Sequence, residues 1–496
     1  MMANDQKQSH VKELFSHTAI YGIGLFLNKA VSFLLIPLYT NFFTPGELGM
    51  FNLVQSVWLF IILIYVYGME TSFIKFFIDA KENKEKSEVY STTLILIFST
   101  SVIFSIIIYF SSGSISRLIE FDNPSKGIFL IQVLSFLLFF DTLFRFPLLL
   151  LRAELKAKTY LYLTTLSLIL NIAFNIIFIV VLKYNIEAIF YSYIISVFVT
   201  FLFGLYFTRG YLILKVSFQK ALRLIFFGNK FVYIGLFLVV IDLSDRFFLK
   251  YFWGEDIVGI YSVNYKLASV MSLIIAAFKF SWTPYFLNIL DNPDNKKIIS
   301  DIFTYFVFAG LFLFLLFTFF TAPVAKISFG GYSILEERFQ IGLVIIPVIL
   351  LSYFFSGLFA NLNVAPFFSN KTIYLLMVTA IGFIINITLN FLLIPKFQMM
   401  GAALATLITY SVMFIIIYFI SQKIYCIDYN WNKIFKISSL ALITFLISSI
   451  IKNFFIESPT LLILLYLLLL LLFLFSINFF KILDLKKVKI LFSKHT

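Results

Sequence analysis

The sequence predicts an all-α integral membrane protein with about fourteen membrane-spanning helices. Three observations predict it. Of 496 residues, 61% are hydrophobic and only 13% charged, with a mean hydropathy of +0.99, whereas soluble domains run to about a quarter charged. The apolar residues come in long continuous runs, not in the alternating ten-residue segments of an outer-membrane barrel. The connections between runs are short, and their lysines and arginines alternate in density from one connection to the next.

Taken in order, the spans fall at 18–43, 46–71, 89–112, 128–150, 159–182 and 188–208 in the first half. The second half gives 228–251, 258–287, 298–324, 339–360, 372–394 and 401–421, and two more follow at 437–454 and 460–480. The first run is too long for a signal h-region and lacks a small-residue cleavage site, so it reads as a span. With the N-terminus inside, the inside segments hold 24 lysines and arginines and the outside segments 8, counting Lys250 and Lys452 at the outer ends of their spans. That bias predicts that both termini are cytoplasmic.

An internal repeat runs at an offset of about 210. Gly49 answers Gly259, Phe51 answers Tyr261 and Leu14 answers Leu224; Asn171 and Asn175 answer Asn386 and Asn390 at an offset of 215. Six spans per repeat is an even number, so the two six-helix lobes share an orientation and relate by a pseudo-two-fold axis along the membrane normal. The expected divisions are an N-terminal lobe (1–220), a C-terminal lobe (221–425), and 426–496 holding the two extra C-terminal helices and a basic tail.

A net charge of +13 in such a chain reads as loop topology and anionic lipid rather than nucleic acid. One cysteine, Cys426, excludes a disulfide framework. His10, His17 and His495 lie near the ends, leaving no histidine for a buried metal or a catalytic base, so no metal, cofactor or enzymatic chemistry is expected. No GxxxxGK[ST] loop occurs, so ATP is not a direct fuel.

Charges at membrane depth cost roughly 2.5–3.5 kcal/mol each on insertion scales and point to function. Asp141 with Arg145, and Asp242 with Arg246, are i,i+4 pairs with the acid N-terminal, the favourable order, and each pair either neutralises itself or joins a coupling network. Glu70 and Asp245 have no base to spare nearby and are the candidate coupling acids. Lys29, Lys266 and Lys279 have no acid one turn away on their own helices. Lys29 sits about 16 Å into its span. Snorkelling to an interface is the alternative for each lysine; otherwise they ask for an anion that the cargo brings, phosphate above all. Asn171, Asn175, Asn386, Asn390, Asn264, Tyr261 and Tyr265 either hydrogen-bond a sugar in a wet cavity or fasten helices together.

The runs DRFFLKYF (245–252), GIYSVNYKLASV (259–270), NFLLIPKFQMMGAALATLITY (390–410) and FTPGELGMFNLV (43–54) resemble the polysaccharide-biosynthesis exporters, the O-antigen-type flippases of the multidrug/oligosaccharidyl-lipid/polysaccharide exporter superfamily. The resemblance covers most of the chain and thins after about residue 425. It implies two six-helix lobes around a cationic cavity. It also implies movement of an undecaprenyl-pyrophosphate-linked oligosaccharide across the bacterial inner membrane by alternating access. By this likeness the pyrophosphate sits against Lys29 and Lys266, with Lys279 and Arg246 as further cations. Relatives commonly place arginines in the first span, where this chain has only Lys29. Expected partners are the lipid-linked oligosaccharide, membrane lipids, a coupling cation or proton, and other polysaccharide-assembly proteins. The competing classes are a multidrug or organic-cation antiporter of the same superfamily and, more remotely, a membrane polymerase or glycosyltransferase. The first would need open acids in its cavity; the second, a long outer loop or an added domain.

Overall fold

The computed structural model describes residue 31 and residues 33–483, except 214, 230–231, 290–292, 364, 367–368, 370, 372, 455–458 and 481. The described chain is almost wholly helical and divides into two compact units. One comprises Met1–Val263 with Ile387–Ala402, the other Asn264–Asn386 with Ala403–Thr496.

In the first unit, α1 (Ile36–Phe42) leads to α2 (Pro45–Val66) through Thr44. Thr44 accepts from the backbone N–H of Glu47 at 3.3 Å, and the Glu47 carboxylate accepts from the Thr44 N–H at 3.0 Å, a reciprocal cap that fixes the start of α2. Then come α3 (Met69–Asp79), α4 (Asn83–Ile119), α5 (Pro124–Ala153) and α6 (Ala157–Asn175), which widens into a π turn over Ile176–Val181. After α7 (Glu187–Thr208), a short amphipathic helix, α8 (Phe218–Gly228), precedes α9 (Val232–Trp253) and α10 (Glu255–Ala268).

Most of the second unit comprises α11 (Val270–Ile289), α12 (Asn295–Ala325), α13 (Ile346–Leu362), α14 (Ile373–Ile424), α15 (Trp431–Phe454) and α16 (Pro459–Phe479). A two-residue hairpin, β1 (Ser328–Phe329) on β2 (Tyr332–Ser333), turns through Gly330 and Gly331, both at positive φ. Stacked rings of Phe319 and Tyr466, 4.8 Å apart, seat α16 on α12.

Among the described residues, ten helices are long and apolar enough to cross a membrane, or eleven if the bent pair Glu255–Ala268 and Val270–Lys279 is one span. The other expected spans are accounted for one by one. Ile373–Ile424 holds two, reversing at Gln398, whose φ of 51° and ψ of −129° are non-helical. Val232–Trp253 carries Asp242, Asp245, Arg246 and Lys250, more charge than an ordinary span. The first span lies largely outside the described residues. The eighth, expected as one straight helix, bends by 45° at Ser269, where the Ser269 and Ser272 hydroxyls donate back to the carbonyls of Lys266 and Ser269; serine back-bonding of this kind bends helices.

Connections predicted to share a side of the membrane meet at one end of the first unit. Lys86 of the second connection pairs with Glu154 of the fourth at 3.3 Å, and Lys220 of the sixth with Glu88 at 2.8 Å. At the other end, Lys126 lies 3.6 Å from Glu47, and the Trp253 indole N–H donates to the Ile394 carbonyl at 3.0 Å. There Lys250, nearly buried, donates to Asp122 and lies 3.7 Å from the buried Glu255, which accepts from the Asp122 N–H at 2.8 Å. This clasp ties the loop before α5 to the α9–α10 turn.

The repeat becomes a contact where α2 crosses α10. A Cβ on Gly49 would lie 1.9 Å from the Glu255 carbonyl oxygen, and one on Gly259 would lie 1.9 Å from the Pro45 carbonyl oxygen. A Cβ on Gly46 would lie 2.9 Å from the carboxylate of Asp256. Pro45 and Glu255, Gly46 and Asp256, Gly49 and Gly259 are all pairs at the 210-residue offset, so the crossing is self-complementary, as a two-fold relation requires. Backbone lies on backbone, and only glycine allows it.

Gly49→Leu and Gly259→Leu should each cost about 3 kcal/mol or more and abolish the monodisperse species in detergent size-exclusion chromatography. Gly113→Leu, where a Cβ meets nothing within 4 Å, should elute as wild type. Lys250→Met strands a buried carboxylate and should cost about 3 kcal/mol. Adding Glu255→Gln should recover part of the lost melting temperature.

Candidate functional site

Two charged clusters form inside the first unit, and the backbone explains the first. α2 ends in two left-handed residues, Tyr67 (φ 32°) and Gly68 (φ 75°). A side chain on Gly68 would meet the Gly228 carbonyl oxygen at 2.0 Å, so the break is fixed by α8 lying against it. The chain restarts as α3 with Glu70 in its first turn, where a negative charge suits the helix dipole. Phe73 and Phe77 of α3 enter a core with Tyr90, Phe146 and Leu224, and the Ser72 hydroxyl donates to the Leu224 carbonyl at 2.7 Å.

That placement brings Glu70 to α5. Arg145 donates through one terminal nitrogen to Glu70 at 3.2 Å and through the other to Asp141 at 3.1 Å. The two acids are held differently. Asp141 has a side chain only 6% exposed and lies near Tyr193 of α7, whose ring packs edge-on against Trp58. Glu70 is 38% exposed and Arg145 36%. The expected Asp141–Arg145 pair is present. Glu70, expected without a base, has one supplied by a helix 75 residues further on.

The second cluster corrects a pairing. Arg246, expected to bond the Asp242 carboxylate one turn back, instead reaches the Asp242 backbone carbonyl at 2.7 Å and pairs with the carboxylate of its neighbour Asp245 at 2.8 Å. Asp245 is wholly buried and also accepts from the Arg246 N–H at 2.8 Å and from the Tyr261 hydroxyl at 2.5 Å. The reading of Asp245 as an acid with no base to spare therefore fails, and Arg246 is a buried, committed donor. Tyr261, considered for sugar, serves this carboxylate. At the 210-residue offset the first half has Leu35, Ile36 and Phe51, all buried, so three apolar core residues of the first half stand where the second half has a bonded polar set.

The asparagine pairs join helices. Asn175 accepts from the Tyr39 hydroxyl at 2.9 Å and donates to Asn171 on its own helix. Asn390 meets the Ser244 hydroxyl at 3.3 Å, and Asn386 meets Thr409 at 3.5 Å. Spans five and eleven are thus tied to spans one and seven by repeat-related amides. In the second unit, Asn264 donates to the Phe339 carbonyl at 2.8 Å, and Tyr265 packs edge-on against Tyr353. Also there, Lys266 is half-buried ahead of the bend at Ser269, and Lys279 is exposed. Lys29 lies outside the described residues.

Sequence reasoning missed Tyr193, Lys250 and Glu255. For Lys250 a signal existed, since it stands five residues before Glu255, across the glycine that separates the two helices. For Tyr193 none did.

The fold is that of known transporters. A structure of the lipid II flippase MurJ in an inward closed conformation superimposes with a TM-score of 0.73 at 16% identity, over 93% of this chain and 99% of that one. An inward-facing multidrug resistance MATE family transporter of the MOP superfamily gives 0.68 at 15% identity, over 80% and 94%. A MOP superfamily transporter from Pyrococcus furiosus gives 0.58 at 15%, over 84% and 95%. Comparison with curated protein sequences gives no match. At these identities the structural likeness establishes a two-lobed, all-α membrane transporter fold. The sequence itself matches the model of a family described as polysaccharide biosynthesis protein over residues 38–295, more than half of its length, and the chain belongs to that family.

Proposed function

We propose that this protein is a flippase for an undecaprenyl-pyrophosphate-linked oligosaccharide. It moves that cargo from the cytoplasmic to the outer leaflet of a bacterial inner membrane for O-antigen, capsule or exopolysaccharide assembly. The observation that carries the reading is family membership over 38–295, the stretch that holds Arg145, Arg246, Lys266 and Lys279, in a chain sharing its fold with a lipid II flippase. Lobes 1–220 and 221–425 rock about a midplane site, and the diphosphate is received by Lys29 and Lys266, with both termini cytoplasmic. The chain's contribution is binding and conformational bias, not bond breaking. Cargo that binds one orientation better shifts the equilibrium by that difference in affinity. Either an ion gradient, with Glu70 as coupling acid, or the membrane potential acting on the headgroup drives the cycle.

The organic-cation antiporter reading asks for open acids. Glu70 and Asp245, the candidates, contact arginine nitrogens at 3.2 and 2.8 Å, which counts against it.

In proteoliposomes holding a fluorescent undecaprenyl-pyrophosphoryl oligosaccharide, the wild type should expose the label to an external quencher. Lys29→Ala should slow that at least tenfold and Lys29→Arg should keep most of it. A strain lacking the gene should accumulate the lipid-linked glycan on the cytoplasmic face. Normal surface glycan in that strain, or Lys29→Ala at the wild-type rate, would count against the assignment.

A further inference from the structure

The two carboxylates on Arg145 do different jobs. Asp141 is on the same helix, one turn back, and nearly buried. It is a fixed counter-charge. Glu70 comes from another helix, is 38% exposed, and uses one oxygen on one nitrogen at 3.2 Å, not the two-bond fork that makes an arginine–carboxylate pair strong. A single contact between two side chains that are each more than a third exposed holds the carboxylate less firmly than a two-bond fork would. The Arg145 Nε, moreover, has no hydrogen-bond partner among the described residues. The guanidinium has donor capacity that the protein's own acids leave unused. The backbone break at Tyr67–Gly68 lies immediately before the helix that carries Glu70.

We infer that Glu70 is an internal stand-in for phosphate: it occupies Arg145 in the empty transporter and is displaced when a phosphoanion enters. A diphosphate offers more oxygens and more charge than one carboxylate, and an arginine fork takes two of those oxygens together. Asp141 stays bonded throughout and keeps the guanidinium aimed. Arg145 is then a further ligand for the cargo headgroup, and Glu70 sets how tightly a phosphate must bind to enter. The inference rests on the flippase reading, because it takes the cargo to carry phosphate.

The test uses the full chain in lipid nanodiscs, with undecaprenyl pyrophosphate and, separately, inorganic pyrophosphate as probes. Glu70→Gln should tighten binding about five- to tenfold, since the competitor is gone. Arg145→Gln should weaken it at least tenfold. In the Arg145→Gln background, Glu70→Gln should change nothing, an epistasis that a merely structural role would not produce. Glu70→Asp, one methylene short, should tighten binding as Glu70→Gln does and guards against a folding defect in the latter. A Glu70 effect on both probes assigns the site to the diphosphate itself. An effect on the lipid alone assigns it to a prenyl-borne diphosphate. Either supports the inference. Wild type that binds undecaprenyl pyrophosphate with an affinity that neither Glu70 variant raises would overturn the inference and leave the flippase reading standing. Wild type that ignores both phosphates but binds ethidium, with loss in Glu70→Gln, would overturn both and make Glu70 a cation ligand. Binding of no probe would also remove both.

Discussion

Two carbonyl oxygens, those of Pro45 and Glu255, rest against the α-carbons of Gly259 and Gly49. Helices in lipid gain nothing from burying apolar surface against each other, since acyl chains are equally apolar. They associate through close packing and hydrogen bonds. A crossing without side chains brings the backbones as near as they can come. It also sets where the neighbouring groups fall: Glu255 enters its clasp with Lys250 and Asp122 only because its carbonyl is seated on Gly49. From the same crossing, α10 carries Tyr261 to the buried Asp245. One approach distance thus positions two polar networks.

Those networks show how a chain this apolar keeps charge. Removing a partner from a buried pair costs about 3–5 kcal/mol because the survivor cannot be hydrated, so each buried charge needs several contacts. Asp245 has three hydrogen bonds from two residues. Lys250 has two acids. Arg145 has two as well, but it and one of its acids are more than a third exposed. The Asp245 site is buried throughout, so exchange there would leave charge in a poor medium; in the Lys250 clasp the lysine and Glu255 are buried while Asp122 is 63% exposed. At Arg145 the cation itself is more than a third exposed, and there exchange with an outside anion costs least.

What the sequence made legible follows the range of the interactions. Span lengths, the alternation of sides and the glycine, aromatic and asparagine repeats are local or periodic, and they reappear in the structure: ends that should meet do meet, and Gly49 faces the segment of Gly259. Helical spacing put Asp141 under Arg145 correctly. The same rule failed for Arg246, because a wholly buried Asp245 next door, aided by Tyr261, outcompetes a carboxylate one turn away. Nothing in the chain announces that Glu70 lies beside Arg145. That contact depends on two left-handed residues and on Gly228 pressing against Gly68, a tertiary event. Asn175 and Asn390 illustrate the same limit, for periodicity put the amides on a helix face without saying whether the face looked at cargo or at another helix.

The exchange of Leu35, Ile36 and Phe51 in the first half for Asp245, Arg246 and Tyr261 in the second bears on how such a fold acquires function. A duplicated scaffold is constrained at its crossing, where both copies must keep glycine and the same carbonyl seats. Elsewhere the copies diverge. The second half carries a buried polar set there, whose members bond each other and so tolerate burial. The first half placed its charges, Glu70, Asp141 and Arg145, beside a broken span, where closure is incomplete. Symmetry therefore governs the framework and asymmetry governs the chemistry. The open cluster lies beside the break at Tyr67–Gly68, and its arginine stays exchangeable because it is itself partly exposed, with one counter-charge buried and the other not.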